Sequence, residues 1–492
     1  MKKSDIRPKR KISKKKVKQV AVESAPFLFY AFIPLLIFFL SYSFFIYDFT
    51  PINYPIFDEQ HYISAAEQIN KGAINENWPH PPLGKAIIGV GIKIFGNNPF
   101  GWRAMSLIFT SLSMVAIYFL GLTIFGDLLS AIFVVFLTLF NQLSISFSRM
   151  AMLDPFMFFF MITSFVLTSH SISSKGSGAT KQWLRILAGL SVGLAGACKW
   201  YGWTALIPCV WILNRPLGQA KGIGLKETFN GLILPTILAY TAAFLIVLKL
   251  TIPLQPNKVA EEKSKDQISY TKGEDKVNKE EKGSIPNAIT SHQSYRLSDL
   301  IPLHLRMIEA QTGFHSPEHL GSSNWFSWPI MASPVWFKLP EEEKRPGSDS
   351  LISGVAFLGN PAIIWGGLFA ILICIWSWKS SRSKQAEWIL AIYLPLLLSF
   401  AIIPRKTGYF YYYYPAAIML GFAIVYAFKY LKSTHYLRMG FSILCIGLFI
   451  TFKPIIYGQK SPADHFNRLL WFKSWLWDQD PKHDRGIEQA KK

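Results

Sequence analysis

The sequence predicts an all-α polytopic membrane protein, and three observations carry that expectation. Of the 492 residues, 51% are hydrophobic and only 16% are charged, whereas about a quarter of a soluble domain is charged. The apolar residues fall into runs, about eleven of which approach the length that crosses a bilayer. Lys and Arg collect in alternate short loops between these runs, as the positive-inside rule requires.

The elements follow in chain order. Residues 1–26 form a basic N-terminus, crowded with Lys and Arg over the first 20 positions. The apolar run that follows, Phe27–Phe49, is too long for the core of a signal peptide, and no small-residue cleavage site succeeds it. Spans are expected near 27–47, 103–125, 128–147, 155–172, 186–201, 203–214, 229–252, 361–378, 387–403, 411–428 and 439–457. With the N-terminus in the cytoplasm, the inner loops are 173–185, 215–228, 379–386 and 429–438, and each carries three Lys/Arg. Two long segments then lie outside, 48–102 and 253–360. The resulting organisation is an N-terminal membrane module over 27–252, an outer loop over 253–360, a C-terminal membrane module over 361–457 and an outer tail over 458–492.

Within the second outer segment, 257–283 is charged and poor in aromatic residues, so it reads as disordered. From Leu300 the composition turns aromatic and apolar, and a part folded against the membrane is expected. The tail sequence FNRLLWFKSWLWDQD reads as an interfacial helix. The formal net charge of +21 belongs to the N-terminus and inner loops, and points to membrane lipid rather than nucleic acid as partner. Cys198, Cys209, Cys374 and Cys445 all sit in apolar runs, which excludes a disulfide frame or a zinc site. No internal repeat is visible, which argues against a transporter built from duplicated halves.

The first outer loop is the most informative part. Asp58 and Glu59 stand just after the first span, ahead of a helix-like stretch over 59–71. His80-Pro81-Pro82 turns the chain, and a second short amphipathic stretch over 85–96 belongs at the membrane interface. Asp58 reads either as an N-cap for the helix or as a carboxylate held at the membrane surface as a general base, and the two are compatible. Asp58 and His61 could alternatively share a metal; otherwise the sequence calls for no cofactor. Lys85, Arg103, Arg149, Lys199 and Arg405 recur near the outer ends of spans. Each alone reads as a snorkelling cation; together, beside a carboxylate-bearing loop, they are candidates to hold a phosphate. His80, Asp154, Trp200, Trp325, Trp328 and Tyr412 are the further candidates for substrate contact.

In sequence order, FDEQHY, HPPLGK, WRAMS, SRMAMLDPF and GLAGACKWYG resemble successive motifs of the protein O-mannosyltransferase family. SSNWFSWPIMASPVWF, FLGNPAIIW and GYFYYYYPAAIML continue the likeness, which runs from about 57 to 420. The resemblance implies a GT-C type fold of eleven spans with outer interfacial helices. It implies sugar transfer from a polyprenyl-phosphate donor with inversion, and Asp58 as the catalytic carboxylate with Glu59 beside it. Eukaryotic members usually carry a β-trefoil domain in the long outer loop; the charged segment 257–283 stands there instead, as in a bacterial-type member.

The expected activity is therefore transfer of a mannose-like sugar to Ser/Thr hydroxyls of proteins at the outer face. The main enzymatic alternative is a lipid or glycan acceptor. A transporter would place ionisable groups near mid-membrane, and a scaffold would not require carboxylate and cations to converge. The charges at the outer ends of spans favour surface chemistry.

Overall fold

A computed structural model of the chain describes residues 27–49, 52–73, 77–173, 176–217, 222–251, 296–313, 321–344, 349–403 and 407–476. The basic N-terminus, the charged segment 257–283, Arg405 and the tail from residue 477 lie outside the described residues.

Helices dominate. α1 (Phe27–Ile46) leads to the loop bearing Asp58, and α2 (Glu59–Asn70) and α3 (Leu83–Phe95) follow where the two amphipathic stretches are expected. α4 (Pro99–Phe125) starts at Asn98, whose side chain accepts from the Phe100 and Gly101 amides at 3.0 Å, with Pro99 in the first helical position. α5 (Leu128–Leu139) and α6 (Gln142–Ser148) are one apolar run broken by 66°. α7 (Asp154–Ser173), α8 (Gly178–Cys198), α9 (Leu206–Asn214) and α10 (Leu225–Leu248) complete the N-terminal module. α11 (Leu300–Gly313) belongs to the loop expected outside. α12 (Pro361–Ser381), α13 (Lys384–Ile402), α14 (Tyr414–Tyr430), α15 (His435–Tyr457) and the short α16 (Ala463–Arg468) follow.

Among the described residues, seven helices are long and apolar enough to cross a membrane: α4, α7, α10, α12, α13, α14 and α15. The bent α5–α6 pair makes eight if it is one span. α1 covers the first expected run with a 20-residue helix, Phe27–Ile46, of which Ala31–Ile46 counts as a shorter apolar helix. Two further expected runs take another form. Runs 186–201 and 203–214 become α8, whose first turns carry Lys181 and Arg185, and the nine-residue α9, joined by a 3-10 turn over Trp200–Ala205.

Local chemistry explains the joints. Asn360 caps α12 through the Ala362 amide at 3.1 Å, and its amide nitrogen donates to the carbonyls of Phe140 at 3.0 Å and Cys445 at 2.9 Å. One buried side chain thus ties the start of α12 to the α5–α6 break and to α15. Gly189 and Gly193, one turn apart on α8, face the backbone carbonyls of Leu232 and Thr236 on α10; a Cβ at either position would collide with them. α14 is buried at every residue from Tyr414 to Ala427 and is the central helix of the bundle.

The loops expected on the inner face do meet at one end. Gln385 donates to the Ile124 carbonyl at 2.8 Å, Trp388 to the Arg215 carbonyl at 2.7 Å, and Lys429 pairs with Asp127. The Asp58 loop is at the other end.

One element lies outside the all-α expectation. β1 (Val335–Glu343) and β2 (Leu351–Phe357) pair antiparallel, and β3 (Ser461–Pro462) adds beyond β2. The 296–357 loop and the chain end therefore share one small sheet. The tail also departs from an interfacial helix. Trp475 is buried, donates to the Met331 carbonyl at 2.9 Å, and accepts at its own carbonyl from the Trp336 indole at 3.2 Å; Trp471 and Phe472 remain exposed.

Candidate active site

The site grows from the backbone at Phe57, which adopts a φ of +51°, a region costly for a bulky side chain. Its ring is held against Phe337 of β1 at 4.9 Å and edge-on to Tyr411 at 5.8 Å. This kink aims the next residue inward. Asp58 precedes α2 but does not cap it: its backbone is helical and its side chain makes no capping bond. Instead the Asp58 carboxylate accepts from Tyr62 at 3.3 Å and from Tyr411 at 3.5 Å, both through Oδ2. The residue keeps some exposure at its edge, yet its carboxyl is enclosed by protein. Burial raises its pKa, and the nearby Lys199 and His61 only partly offset that rise.

Glu59 has a different environment. It is fully buried and accepts four hydrogen bonds: from Arg103 Nε at 2.7 Å, Arg103 Nη2 at 2.6 Å, the Ala151 amide at 2.7 Å and the Ile56 amide at 3.0 Å. Arg103 also donates to the carbonyls of Ile52 at 2.8 Å and Tyr54 at 3.2 Å. Both groups are consumed by the frame of the loop, so Glu59 presents no free oxygen and Arg103 no fork for a phosphate.

Two other expected cations are occupied likewise. Lys85 is fully buried and donates to the carbonyls of Asn77 and His80, the latter at 2.8 Å, which fixes the His80-Pro81-Pro82 turn. Arg149 donates to the last carbonyls after α1, Phe45 at 3.3 Å, Tyr47 at 3.1 Å and Asp48. Its guanidinium also lies over the Tyr457 ring at 4.4 Å. It closes a helix C-terminus, as cationic side chains do.

Lys199 is the cation that the fold brings to Asp58. Its ammonium donates to both oxygens of Asp154 at 2.9 Å and lies over the rings of Tyr411 at 4.9 Å and Tyr412 at 4.7 Å. Asp154, the first residue of α7, is buried with it. Tyr411 thus contacts the carboxylate with its hydroxyl and the ammonium with its face. Tyr412 stacks on Phe400 at 5.5 Å, and Trp328 supports both rings while its indole donates to Ser323 at 3.0 Å. Trp325 sits half-buried in a 3-10 turn next to Phe326 and does not line the cavity described next.

Lys199 and Tyr412 lie at one wall of a cavity of about 380 Å³. Its other walls are Pro79, His80 and Pro81, the Trp200–Thr204 turn, Phe400, Ile403, and Ile308, Gln311 and Thr312 of α11. The lining is mostly apolar, with His80, Lys199, Thr204, Gln311, Thr312 and Tyr412 among its polar members. Ile308 and Ile403 are 48% and 38% exposed, so the mouth is apolar. Among the described residues no three His, Cys, Asp or Glu side chains gather as a metal site, and Asp58 and His61 recruit no third ligand.

The sequence reading did not single out Tyr62, Tyr411, Tyr240, His304 or Gln311. Tyr411 stands in a run of tyrosines whose members look alike until the fold orients them. His304 and Tyr240 carry no local motif.

Comparison with known proteins agrees with this architecture. Residues 93–263 match the family model described as dolichyl-phosphate-mannose-protein mannosyltransferase, and residues 296–475 match the C-terminal four-span region of protein-O-mannosyltransferase. A polyprenol-phosphate-mannose–protein mannosyltransferase of Corynebacterium glutamicum is 24% identical over 481 residues, covering 86% of this chain and 88% of that protein. Its counterpart in Mycobacterium tuberculosis is also 24% identical, covering 86% of each. Among solved structures, the S. cerevisiae Pmt1-Pmt2 complex bound to its sugar donor superposes with a TM-score of 0.70 at 13% identity, covering 94% of both chains. ArnT from Cupriavidus metallidurans bound to undecaprenyl phosphate gives 0.50 at 13% identity, covering 86% of this chain and 63% of that one. The fold is GT-C, and the two family models, the full-length relatives and the shared architecture together show that the chain belongs to the protein O-mannosyltransferase family.

Proposed function

We propose that the chain transfers mannose from a polyprenyl-phosphate carrier to Ser or Thr hydroxyls of proteins, with inversion, at the extracytoplasmic face of the membrane. The observation that carries this reading is the contact of Tyr411 with both Asp58 and Lys199, beside an apolar cavity with an apolar mouth. The cavity suits a prenyl tail, and Lys199 suits the phosphate to which that tail is joined. The acceptor hydroxyl approaches from the Asp58 side.

In the transfer step the hydroxyl oxygen bonds to the anomeric carbon as the bond from that carbon to the phosphate oxygen breaks. The hydroxyl proton passes to Asp58, and the electron pair of the broken bond leaves on the phosphate. A base of this kind contributes roughly 10²- to 10⁴-fold. The leaving phosphate needs no proton, so one carboxylate suffices, and Lys199 compensates the charge that develops on it. Asp154 holds Lys199 in place. Glu59 and Arg103 act by fixing the loop, not by touching the reacting atoms.

The test incubates the purified chain with polyprenyl-phosphate mannose and separate protein and lipid acceptors, and follows hexose addition by mass spectrometry. Addition to Ser or Thr of the protein is expected; addition to the lipid alone overturns the acceptor. The orientation is tested in intact cells with a membrane-impermeant thiol reagent. Lys71→Cys should react and Arg10→Cys should not, and the reverse pattern moves the site to the cytoplasmic side.

A further inference from the structure

We infer that His304 and Tyr240 are positioning residues for the lipid-linked donor, acting together as a latch that holds α11 across the cavity and fixes Lys199 through Trp200. This rests on the donor reading above and adds to it two residues that do not touch the reacting atoms.

α11 lies on the bundle through Leu300, Leu303 and Met307, which pack with Ala197, Phe244 and Leu248. Its opposite face shows Ile301, Leu305 and Ile308 at 71%, 62% and 48% exposure. An apolar row at this spacing on a helix outside the spans belongs in the lipid interface. Ile308, Gln311 and Thr312 are at the same time part of the cavity wall. α11 therefore stands between the cavity and the lipid from which a prenyl chain arrives.

Two polar contacts hold it there. At one end Gln311 donates to the Pro79 carbonyl at 3.1 Å, which joins α11 to the His80 turn. At the other end is a chain of hydrogen bonds whose direction is fixed by chemistry. His304 Nδ1 lies 2.7 Å from the Leu300 carbonyl, which can only accept, so Nδ1 carries the hydrogen. In the tautomer with its hydrogen on Nδ1, Nε2 accepts, and the Tyr240 hydroxyl at 2.6 Å donates to it. The Tyr240 oxygen in turn accepts from the Trp200 indole at 2.8 Å. The Trp200 ring is stacked on His304 with 6.1 Å between centroids. Trp200 lines the cavity and follows Lys199 directly in the chain. The latch thus runs from α11 through a residue of α10 to the cation proposed to meet the phosphate. Neither His304 nor Tyr240 lines the cavity, so both act through Trp200 and α11.

The experiment uses the full chain and four variants. Tyr240→Phe keeps the ring contacts with Trp203, Phe244 and His304 but removes both hydrogen bonds. His304→Leu removes the acceptor, and His304→Gln restores one; Trp183→Phe, on the exposed N-terminal part of α8, is the control. Donor KM is measured in the transfer assay, and undecaprenyl phosphate is titrated against tryptophan fluorescence. In Tyr240→Phe and His304→Leu, donor KM and the Kd for undecaprenyl phosphate should rise roughly three- to tenfold. Turnover at saturating donor and the acceptor KM should stay near wild type, and His304→Gln should recover most of the loss. Unchanged donor KM and Kd in Tyr240→Phe overturn the latch, as does a fall in turnover with both constants unmoved. If the wild type binds undecaprenyl phosphate but transfers no mannose, the weakened binding in Tyr240→Phe still supports the latch and only the proposed reaction falls. If binding is then also unchanged, both fall.

Discussion

Replacing Asp58 with Asn separates the base from every structural part that residue could play. The Asp58 side chain does not cap α2, so the exchange removes no cap. Its contacts are with two donors, Tyr62 at 3.3 Å and Tyr411 at 3.5 Å, and the Asn oxygen can accept from both. What disappears is the charge and the proton acceptor. Turnover should fall by about 10²-fold or more, which is about 2.7 kcal/mol of transition-state stabilisation at 1.36 kcal/mol per decade. Donor binding should remain close to wild type. Stability should move the other way. Burial raises the Asp58 pKa in the folded chain, so the fold binds that proton more tightly than the unfolded chain does. Stability is then lost as pH rises from the ordinary aspartate value through the folded one. Above its raised pKa the ionised carboxylate is a cost, and Asn removes it. The assay pairs single-turnover transfer with thermal unfolding in detergent: slower chemistry with an equal or higher Tm is expected. Near-normal turnover refutes the assignment of Asp58 as base. Glu59→Gln is no matched control, because it leaves Arg103 buried without its counter-charge, at about 3–5 kcal/mol of stability.

Other consequences can be measured in the same preparation. Lys199→Met should lose about 3–5 kcal/mol by stranding buried Asp154; adding Asp154→Leu should restore the Tm but not donor binding, and restored binding would show that Lys199 does not meet the phosphate. Arg149→Ala should lower stability by about 1–3 kcal/mol through the carbonyls it leaves at the end of α1, with donor KM unchanged, as a shift in KM would return Arg149 to the donor site. Because Asp58 must be ionised to act and its pKa is raised, transfer should decline on the acid side at a pH above the ordinary aspartate value, and the decline should be absent from the residual rate of Asp58→Asn.

The bundle was largely legible because lipid imposes a simple code: seven expected runs are single helices of crossing length, and the α5–α6 run is one interrupted segment. The runs that fell short did so where charge or backbone geometry intervened, as at Lys181 and Arg185 on α8 and the 3-10 turn at Trp200. The sheet was hidden because β1 carries Pro340 and three consecutive glutamates, and its bulged register dilutes any alternation. Asp58 and Lys199 could be picked as candidates from position, but their neighbours could not be sorted. Asp58 and Glu59 are adjacent in sequence and opposite in environment, because one residue along a helix turns the side chain by about 100°. Arg103 and Arg149 look like phosphate ligands until their partners, 44 and 101 to 104 positions away, are known.

The four bonds to Glu59 also set a schedule for the chain during synthesis. Its partners lie at 56, 103 and 151, so they leave the ribosome in turn, the last after the α5–α6 break has formed. Until Ala151 arrives, the loop at 52–58 lacks one of its anchors, and Tyr411 and the central helix behind it arrive later still. An early fragment therefore holds Asp58 without the tyrosine, the ammonium or the wall that would make it reactive. A nascent chain threading into the membrane carries Asp58 before Tyr411 has been made, and their contact forms only once both halves of the bundle have met.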